Sequence, residues 1–531
     1  MLINHYPMKK LNLYLALIAL VLCVIIIIRK NDLTLNKLAT LMAISTPTEV
    51  FDFHSTDLIA QQKLKSKFSP TPEFKIPGLD GISYDDYRQI EYKPDVAIWK
   101  NLALPYQLHF FHPGHIYSNG IQIYEVINEK PVEIPYDASR FNFGDLPLSE
   151  DFAELTKNLH YTGFRVHYPI NQKEALEEFL VFQGSSYFRA ISKGQVYGLS
   201  GRGLAINTGP KDKEEFPIFE SFYIKRPQKT DTTITIYSIM NSESVVGSYE
   251  FIVKPGEVTT IDVRAKIYLR KKIKRLGFAP VTSMYLYGES DNPILGNIHP
   301  EVHDSDGLLT QNKTGDWEWR PLINPKKTQL TRIPLDSPLG YGLIQRDRKF
   351  KSYQDEKLKY HLRPSVWVEP KGDWGKGNLY LLEFTTNLDS DDNVTTFWEP
   401  AVPPNLNEGY EFQYTLHYTE KSPKHHTLGK ASAFYRGVDP LFPKEKVFTL
   451  YFTGDELKSL DRKTNLNAII KNNKIPSEHI RYKIEKISEL DQWRLQIWYP
   501  ALADESDWTV YLENGNQRIT ETWMYRDGLS K

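Results

Sequence analysis

From about residue 80 onward, apolar and polar positions alternate in short runs, as in Thr-Ile-Thr-Ile-Tyr at 233–237. A period of two puts successive side chains on opposite faces of an extended chain, so these runs predict half-buried β-strands. Strand-like pieces are read at Leu108–Phe111, Gly120–Val126, Thr232–Ser238, Ser248–Val253 and Thr259–Val263. Turn residues separate them, such as Asn119-Gly120 and Lys254-Pro255-Gly256. Short strands punctuated by turns, without alternating helices, predict an all-β sandwich or barrel. The clearest helical candidate is Lys173–Leu180. Residues 31 to about 75 read as a polar, loosely structured approach segment, with Pro47, Pro70 and Pro72 in it and Pro77 just beyond.

A second region follows the polar patch Thr419–Lys430, with strands expected at Lys446–Phe452, Ile480–Ile487, Trp493–Trp498 and Trp508–Leu512. About a hundred residues of short strands fit an immunoglobulin-like sandwich, here without the Cys-Trp-Cys pattern of antibody domains. The expected organisation is therefore 1–47 as membrane segment and linker, 48–421 as a large β-sandwich, and 428–531 as the Ig-like domain.

Before this body, Lys9 and Lys10 precede an apolar run from Leu11 to Ile28, broken only by Asn12 and closed by Arg29 and Lys30. Its eighteen residues are near the minimum for spanning a bilayer and long for a cleavable signal. No Ala-x-Ala site follows, and Leu22 before Cys23 argues against a lipoprotein site. The reading is a signal anchor with the body outside the cytoplasm; a cleaved signal is the alternative.

Charge adds an exclusion. Lys plus Arg (65) balances Asp plus Glu (66), so nothing in the charge points to nucleic acid as a partner. Cys23 is the only cysteine, which excludes a disulfide, a cysteine-ligated zinc and a thiol nucleophile from the body. Aromatic residues reach 13%, which suits either strands or sugar-stacking surfaces.

Several motifs invite chemistry. Gly198-Leu-Ser-Gly201-Arg-Gly203 lacks the order and context of a phosphate loop and reads as a tight turn with Arg202 facing an acidic partner. His109, His112 and His115 do not share a strand face, so they read as a polar and aromatic rim of a cleft rather than a metal site. Asp389-Ser-Asp391-Asp392-Asn393 lacks the Gly and Glu of a calcium loop. Packed carboxylates of this kind repel one another, and a raised pKa is what a general acid needs. A second acidic knot is His303-Asp304-Ser305-Asp306. Between and around the two knots lie Trp317, Trp319, Arg320, Tyr353, Tyr360, Arg363, Trp367, Trp374 and Lys376, a composition suited to a glycan cleft. Glycoside hydrolysis commonly uses two carboxyl groups, and each knot could supply one.

Taken together, long ordered stretches resemble the OpgG/OpgD (MdoG/MdoD) family of glucan-biosynthesis proteins. They include Gly184-Ser-Ser-Tyr-Phe-Arg189, Gln195-Val-Tyr-Gly-Leu-Ser-Gly-Arg-Gly-Leu-Ala-Ile206, Glu214-Glu-Phe-Pro217 and Leu276-Gly-Phe-Ala-Pro-Val-Thr-Ser-Met284. His303-Asp-Ser-Asp306, Gly315-Asp-Trp-Glu-Trp-Arg-Pro321, Arg363-Pro-Ser365, Trp374-Gly-Lys-Gly377, Asp392-Asn393 and Glu521-Thr-Trp-Met-Tyr525 continue the series. The resemblance runs from about residue 50 to 525.

It implies a large galactose-mutarotase-like β-sandwich followed by an Ig-like one, a periplasmic location in a Gram-negative bacterium, and a role in osmoregulated glucan synthesis. Some members resemble inverting β-1,2-glucanases or transglycosylases. By that resemblance Asp392 is the general acid and Asp304 the general base, with proton transfer through a chain of waters. Asp306, Trp317, Trp319, Arg320, Tyr353, Tyr360, Arg363, Trp367, Trp374, Lys376 and Arg202 are the candidate substrate-binding residues. Neither a cofactor nor a metal is expected. Gln195-Val-Tyr197 and Lys266-Ile-Tyr-Leu269 are similar to the OpgG branch, whereas Asp306 and Trp367-Val-Glu-Pro370 are similar to OpgD. The alternative is a non-catalytic glucan-binding scaffold partnering an inner-membrane glucan synthase, with β-1,2-glucan as ligand in both cases.

Overall fold

The computed structural model describes residues 50–529 apart from 72, 75–78, 80, 147, 149, 292–296, 422, 424 and 502–504. The expected membrane segment at 11–28 lies outside the described residues. Among those described, no helix is long and apolar enough to cross a membrane.

The fold is an all-β sandwich, as the alternating pattern predicts. Among the described residues, one ten-stranded sheet carries Gln107–Phe111, Gly163–Tyr168, Glu177–Gln183, Tyr187–Ala190, Ser200–Arg202 and Leu276–Ser283 in spatial order. It continues through Val394–Pro400, Lys376–Glu383 and Gln329–Asp336. The facing fifteen-stranded sheet has at its centre Ser365–Lys371, Tyr410–Thr419, Thr259–Leu269, Val245–Lys254 and Ile234–Asn241. The strand Thr259–Leu269 shows how the sequence sets this packing. Ile261, Val263, Ala265 and Ile267 point into the core, while Asp262, Arg264 and Lys266 point outward. Phe164, Phe182 and Phe188 from one sheet meet Phe222 and Phe251 from the other at ring separations of 5.0–5.4 Å. Edge-to-face aromatic pairs of this kind add about 0.5–1.5 kcal/mol each beyond the area they bury.

Two expectations are corrected. The segment Lys173–Leu180 is not helical: a turn leads into the strand Glu177–Gln183. Pairing on both sides, with Gly163–Tyr168 and Tyr187–Ala190, overrides the helix-forming charged residues, and Glu178 finds Arg165 across the sheet at 2.9 Å. Conversely, the approach segment holds a helix, Phe53–Leu64, started by a reciprocal cap between Asp52 and Ser55. Asp57 fastens it to the outer face of the large sheet by accepting from Lys266 Nζ (2.7 Å) and Tyr268 Oη (2.6 Å).

A second core gathers Phe448, Trp493, Trp508 and Trp523 from the C-terminal strands. It encloses Trp317, Trp319 and Trp367 as well. The link is a parallel pairing of Thr522–Asp527 with Trp317–Pro321, which sets Trp319 opposite Trp523 and carries the large sheet into the C-terminal strands.

Candidate active site

A cavity of about 750 Å³ opens over the ten-stranded sheet. Its wall includes Tyr84, Phe111, Tyr117, Gln183, Tyr187, Arg189, Tyr197 and Asp392. The hairpin joining Glu177–Gln183 to Tyr187–Ala190 presents part of this wall. Gly184 (φ +76°) and Ser185 (φ +48°) turn the chain in the left-handed region. Tyr187, Phe188 and Arg189 all line the cavity; strand alternation leaves Tyr187 and Arg189 partly exposed there and buries Phe188 and Ala190.

Arg189 reaches across to Asp392. Its Nε donates to Ser200 Oγ at 2.7 Å, and its Nη2 donates to Asp392 Oδ2 at 3.1 Å. Both members of the pair keep over a third of their side-chain exposure, 40% and 36%, so a ligand in the cavity has access to the Asp392 carboxylate. The other carboxylates of this acidic knot point elsewhere. Asp389 accepts from Tyr360 Oη at 3.2 Å, and Asp391 accepts from Thr386 Oγ1 at 2.6 Å.

Asp304 is buried, with 3% of its side chain exposed. Arg363 donates to its carboxylate. Burial pushes the Asp304 carboxyl up, Arg363 works against that, and the negative charge of Asp392 adds to the rise. Arg189 opposes the rise as well, so the two aspartates and two arginines form one electrostatic group. Tyr360 joins its ends: its ring lies 4.3 Å under the Arg363 guanidinium while its hydroxyl holds Asp389.

The remaining sequence candidates are placed differently. Tyr353 is fully buried, donating to the Asp347 carbonyl (3.0 Å) and accepting from Gln345 Nε2 (2.7 Å). Asp306 accepts from the backbone N–H groups of Arg346 and Asp347. Trp317 and Trp367 pack on each other in the second core, and Trp319 lies there under the Arg346 guanidinium at 3.5 Å. Arg320 is largely buried beside Glu383 and Glu318. Trp374 donates to the Gln413 carbonyl at 3.2 Å, and Lys376 is exposed at the start of its strand, opposite Asp336. Arg202 has the acidic partner the sequence suggested, Glu214 at 2.7 Å, but it sits in a strand rather than a tight turn. Its guanidinium lies over the Tyr187 ring at 5.0 Å, one layer behind the cavity wall. Asp392, Asp304, Arg363 and Tyr360 are thus the sequence candidates that come together. Of these, Asp392 lines the cavity.

His109 and His112 do not line the cavity, whereas His115 packs against the wall residue Tyr84 at 5.9 Å. His109 stacks on Tyr92 (4.8 Å) and His167 (3.9 Å), and His112 is buried among aromatic rings. Burial holds their pKa values down, at about 3 and about 4. Donor atoms of Glu301, His303 and Asp306 lie within 4.8 Å of one another, the arrangement among the described residues closest to a metal-ligand set. They are engaged with one another and with backbone N–H groups, His303 Nε2 to Glu301 at 2.9 Å, and so form an internal ion-pair network.

Arg189, Tyr187, Tyr117 and Tyr84 went unselected in the sequence. The signal was present in the Gly184–Arg189 stretch, where a turn followed by Tyr-Phe-Arg alternates polar and apolar residues.

A family model described as "Periplasmic glucan biosynthesis protein, MdoG" matches residues 51–527. "Glucans biosynthesis protein G" of Rhodopseudomonas palustris (strain BisA53) is 37% identical over 477 residues, covering 90% of this chain and 93% of that protein.

Proposed function

The chain belongs to the MdoG family of periplasmic glucan biosynthesis proteins, and on that premise we propose that its cavity binds and cuts the β-1,2-glucan backbone. Asp392 acts as general acid and Asp304 as general base. Asp304 takes a proton from water, the water oxygen attacks the anomeric carbon, the glycosidic C–O bond breaks, and Asp392 protonates the departing oxygen. A sugar hydroxyl in place of water gives transfer instead of hydrolysis. Attack from the face opposite the leaving group inverts the anomeric centre, and inverting pairs stand about 6.5–9.5 Å apart to admit the water.

The observation that carries this reading is the electrostatic group. Asp392 reaches the cavity, and its negative charge bears on the buried Asp304. Arg363 favours the ionised Asp304 that a base requires. Tyr84, Tyr117 and Tyr187 supply rings of the kind that stack on pyranose faces.

The purified protein, incubated with linear β-1,2-glucan, is expected to yield shorter or cyclised chains. Asp392→Asn is expected to abolish turnover while keeping glucan binding, and Asp304→Asn to lower kcat by at least about 10²-fold, the scale of a lost general base. Unchanged cleavage by folded Asp392→Asn would refute the acid assignment. One observation favours the scaffold reading: Asp304 is almost closed to solvent and tied to Arg363. Binding without cleavage by the wild-type protein would establish that reading.

A further inference from the structure

Next to the proposed acid stands a side chain with no solvent contact at all, Asn393. Its Oδ1 accepts from the Tyr285 N–H at 2.8 Å, and its Nδ2 donates to the carbonyls of Tyr285 (2.9 Å) and Phe384 (3.1 Å). Its own carbonyl accepts from the Phe384 N–H at 3.0 Å. The carboxamide thus clamps both backbone polar groups of one residue, Tyr285, across 108 positions of sequence.

Tyr285 is also where the proposed base is held. Leu276–Ser283 pairs with Val394–Pro400, Ser283 opposite Val394. Two residues later the chain pairs on with Val302–His303, Tyr285 opposite His303. Between them the Met284 carbonyl accepts from the Asp304 N–H at 2.8 Å, and Ser283 Oγ bonds Ser305 Oγ at 2.8 Å, both hydroxyls buried. The attachment points of the two acidic knots are therefore two residues apart on one piece of chain, at most about 7 Å even when fully extended.

We propose that Asn393 is a positioning residue: by clamping the Asp392 loop to Tyr285, it fixes the separation of Asp392 from Asp304. The inference rests on the proposed roles of those two aspartates. A hydrophobic anchor would hold the loop without setting its register. A carboxamide that satisfies an N–H and a C=O of the same residue sets both direction and distance. The proposed acid then gives its proton to an oxygen whose place is defined relative to Asp304.

The test compares the wild-type protein with Asn393→Ala and Asn393→Asp on two substrates. One is linear β-1,2-glucan; the other is an aryl glycoside of a β-1,2-linked oligosaccharide, whose leaving group departs without protonation. The expected result on glucan is a fall in kcat of about 10²-fold, the cost of about 1 Å of misplacement, with KM within about twofold. On the aryl glycoside the fall is expected to be at least tenfold smaller, the pattern of a lost general acid. Asn393→Asp keeps the oxygen that accepts from the Tyr285 N–H, and in its protonated form, which burial against two carbonyls favours, it still donates to one of them, so it is expected to lose less than Asn393→Ala. It also serves as the readout if the alanine variant does not fold. Equal losses on both substrates, or wild-type kcat in either folded variant, would overturn the proposal. Asp392→Asn measured alongside separates the two levels. Full turnover in that variant would sink the acid assignment itself, whereas its inactivity beside fully active Asn393 variants would sink only the positioning role.

Discussion

Asp304 is under opposed influences, and their balance makes its chemistry testable. Burial and the neighbouring charge of Asp392 raise its pKa, whereas Arg363 and Arg189 lower it. A base works only when ionised, so activity should fall as the solution is acidified through the Asp304 pKa. Arg363→Ala removes a cause that lowers this pKa, and the acidic limb of kcat/KM should therefore move to higher pH. Arg363→Lys, which keeps a cation, should move it less. A limb that stays in place in folded Arg363→Ala would show that Asp304 does not set it. At this scale the sequence was informative where residue type and motif coincide: Asp304, Asp392, Arg363 and Tyr360 converge. It was uninformative for tryptophan, because a ring that fits a sugar also fits a core. Trp317, Trp319 and Trp367 went to the second core. Arg189 was missed since a single arginine in a hairpin has no distinguishing neighbour until the fold brings Asp392 to it.

At the scale of elements, the glycines of Gly198–Gly203 are there for close approach, not for phosphate. A Cβ at Gly198 would stand 2.9 Å from the Arg363 Cβ, one at Gly201 would stand 2.6 Å from the Phe188 ring, and one at Gly203 would collide with Met240. This stretch is thus a flat surface against which Arg363 and the sandwich core pack. Gly198→Ala should push Arg363 away from Asp304, costing about 1–3 kcal/mol of stability, as overpacking does, and lowering kcat with little change in glucan binding. Unfolding melts together with kcat and KM would check this, and wild-type kcat in the variant would contradict it. The alternation of the long strands was legible because half-burial writes itself into a period of two. The strand Glu177–Gln183 was not: its glutamates favour a helix locally, and only partners distant in sequence, Arg165 among them, make it a strand.

For the whole molecule, a buried acidic knot lies where the large sandwich meets the C-terminal strands. Glu289 accepts from the Phe434 N–H at 3.0 Å, and burial, with the charges of Asp306 and Glu301, pushes its pKa up to about 8. His303 is raised to about 9: burial alone would lower it, but the hydrogen bond to Glu301 and the charges of Asp306, Glu301 and Glu289 outweigh that. Both groups hold protons more tightly in the folded state than in the unfolded chain. Stability should therefore be greatest at mildly acid pH and decline as pH rises from about 5 towards 9. Glu289→Gln, which mimics the protonated form, should flatten that decline between about pH 5 and 8 in thermal melts; an unchanged slope would contradict it. This junction was the least legible feature of the chain, because a boundary drawn from the polar patch at 419–430 does not reveal that Trp317 and Trp367 cross it to complete the second core.

The claim that the cavity cleaves glucan with inversion is tested most directly by proton NMR of linear β-1,2-glucan during the first minutes with the wild-type protein. New reducing ends that emerge as the α anomer, and only later equilibrate with β, are the predicted result. New ends that emerge as β, or no new ends or cyclised chains despite bound glucan, would contradict it.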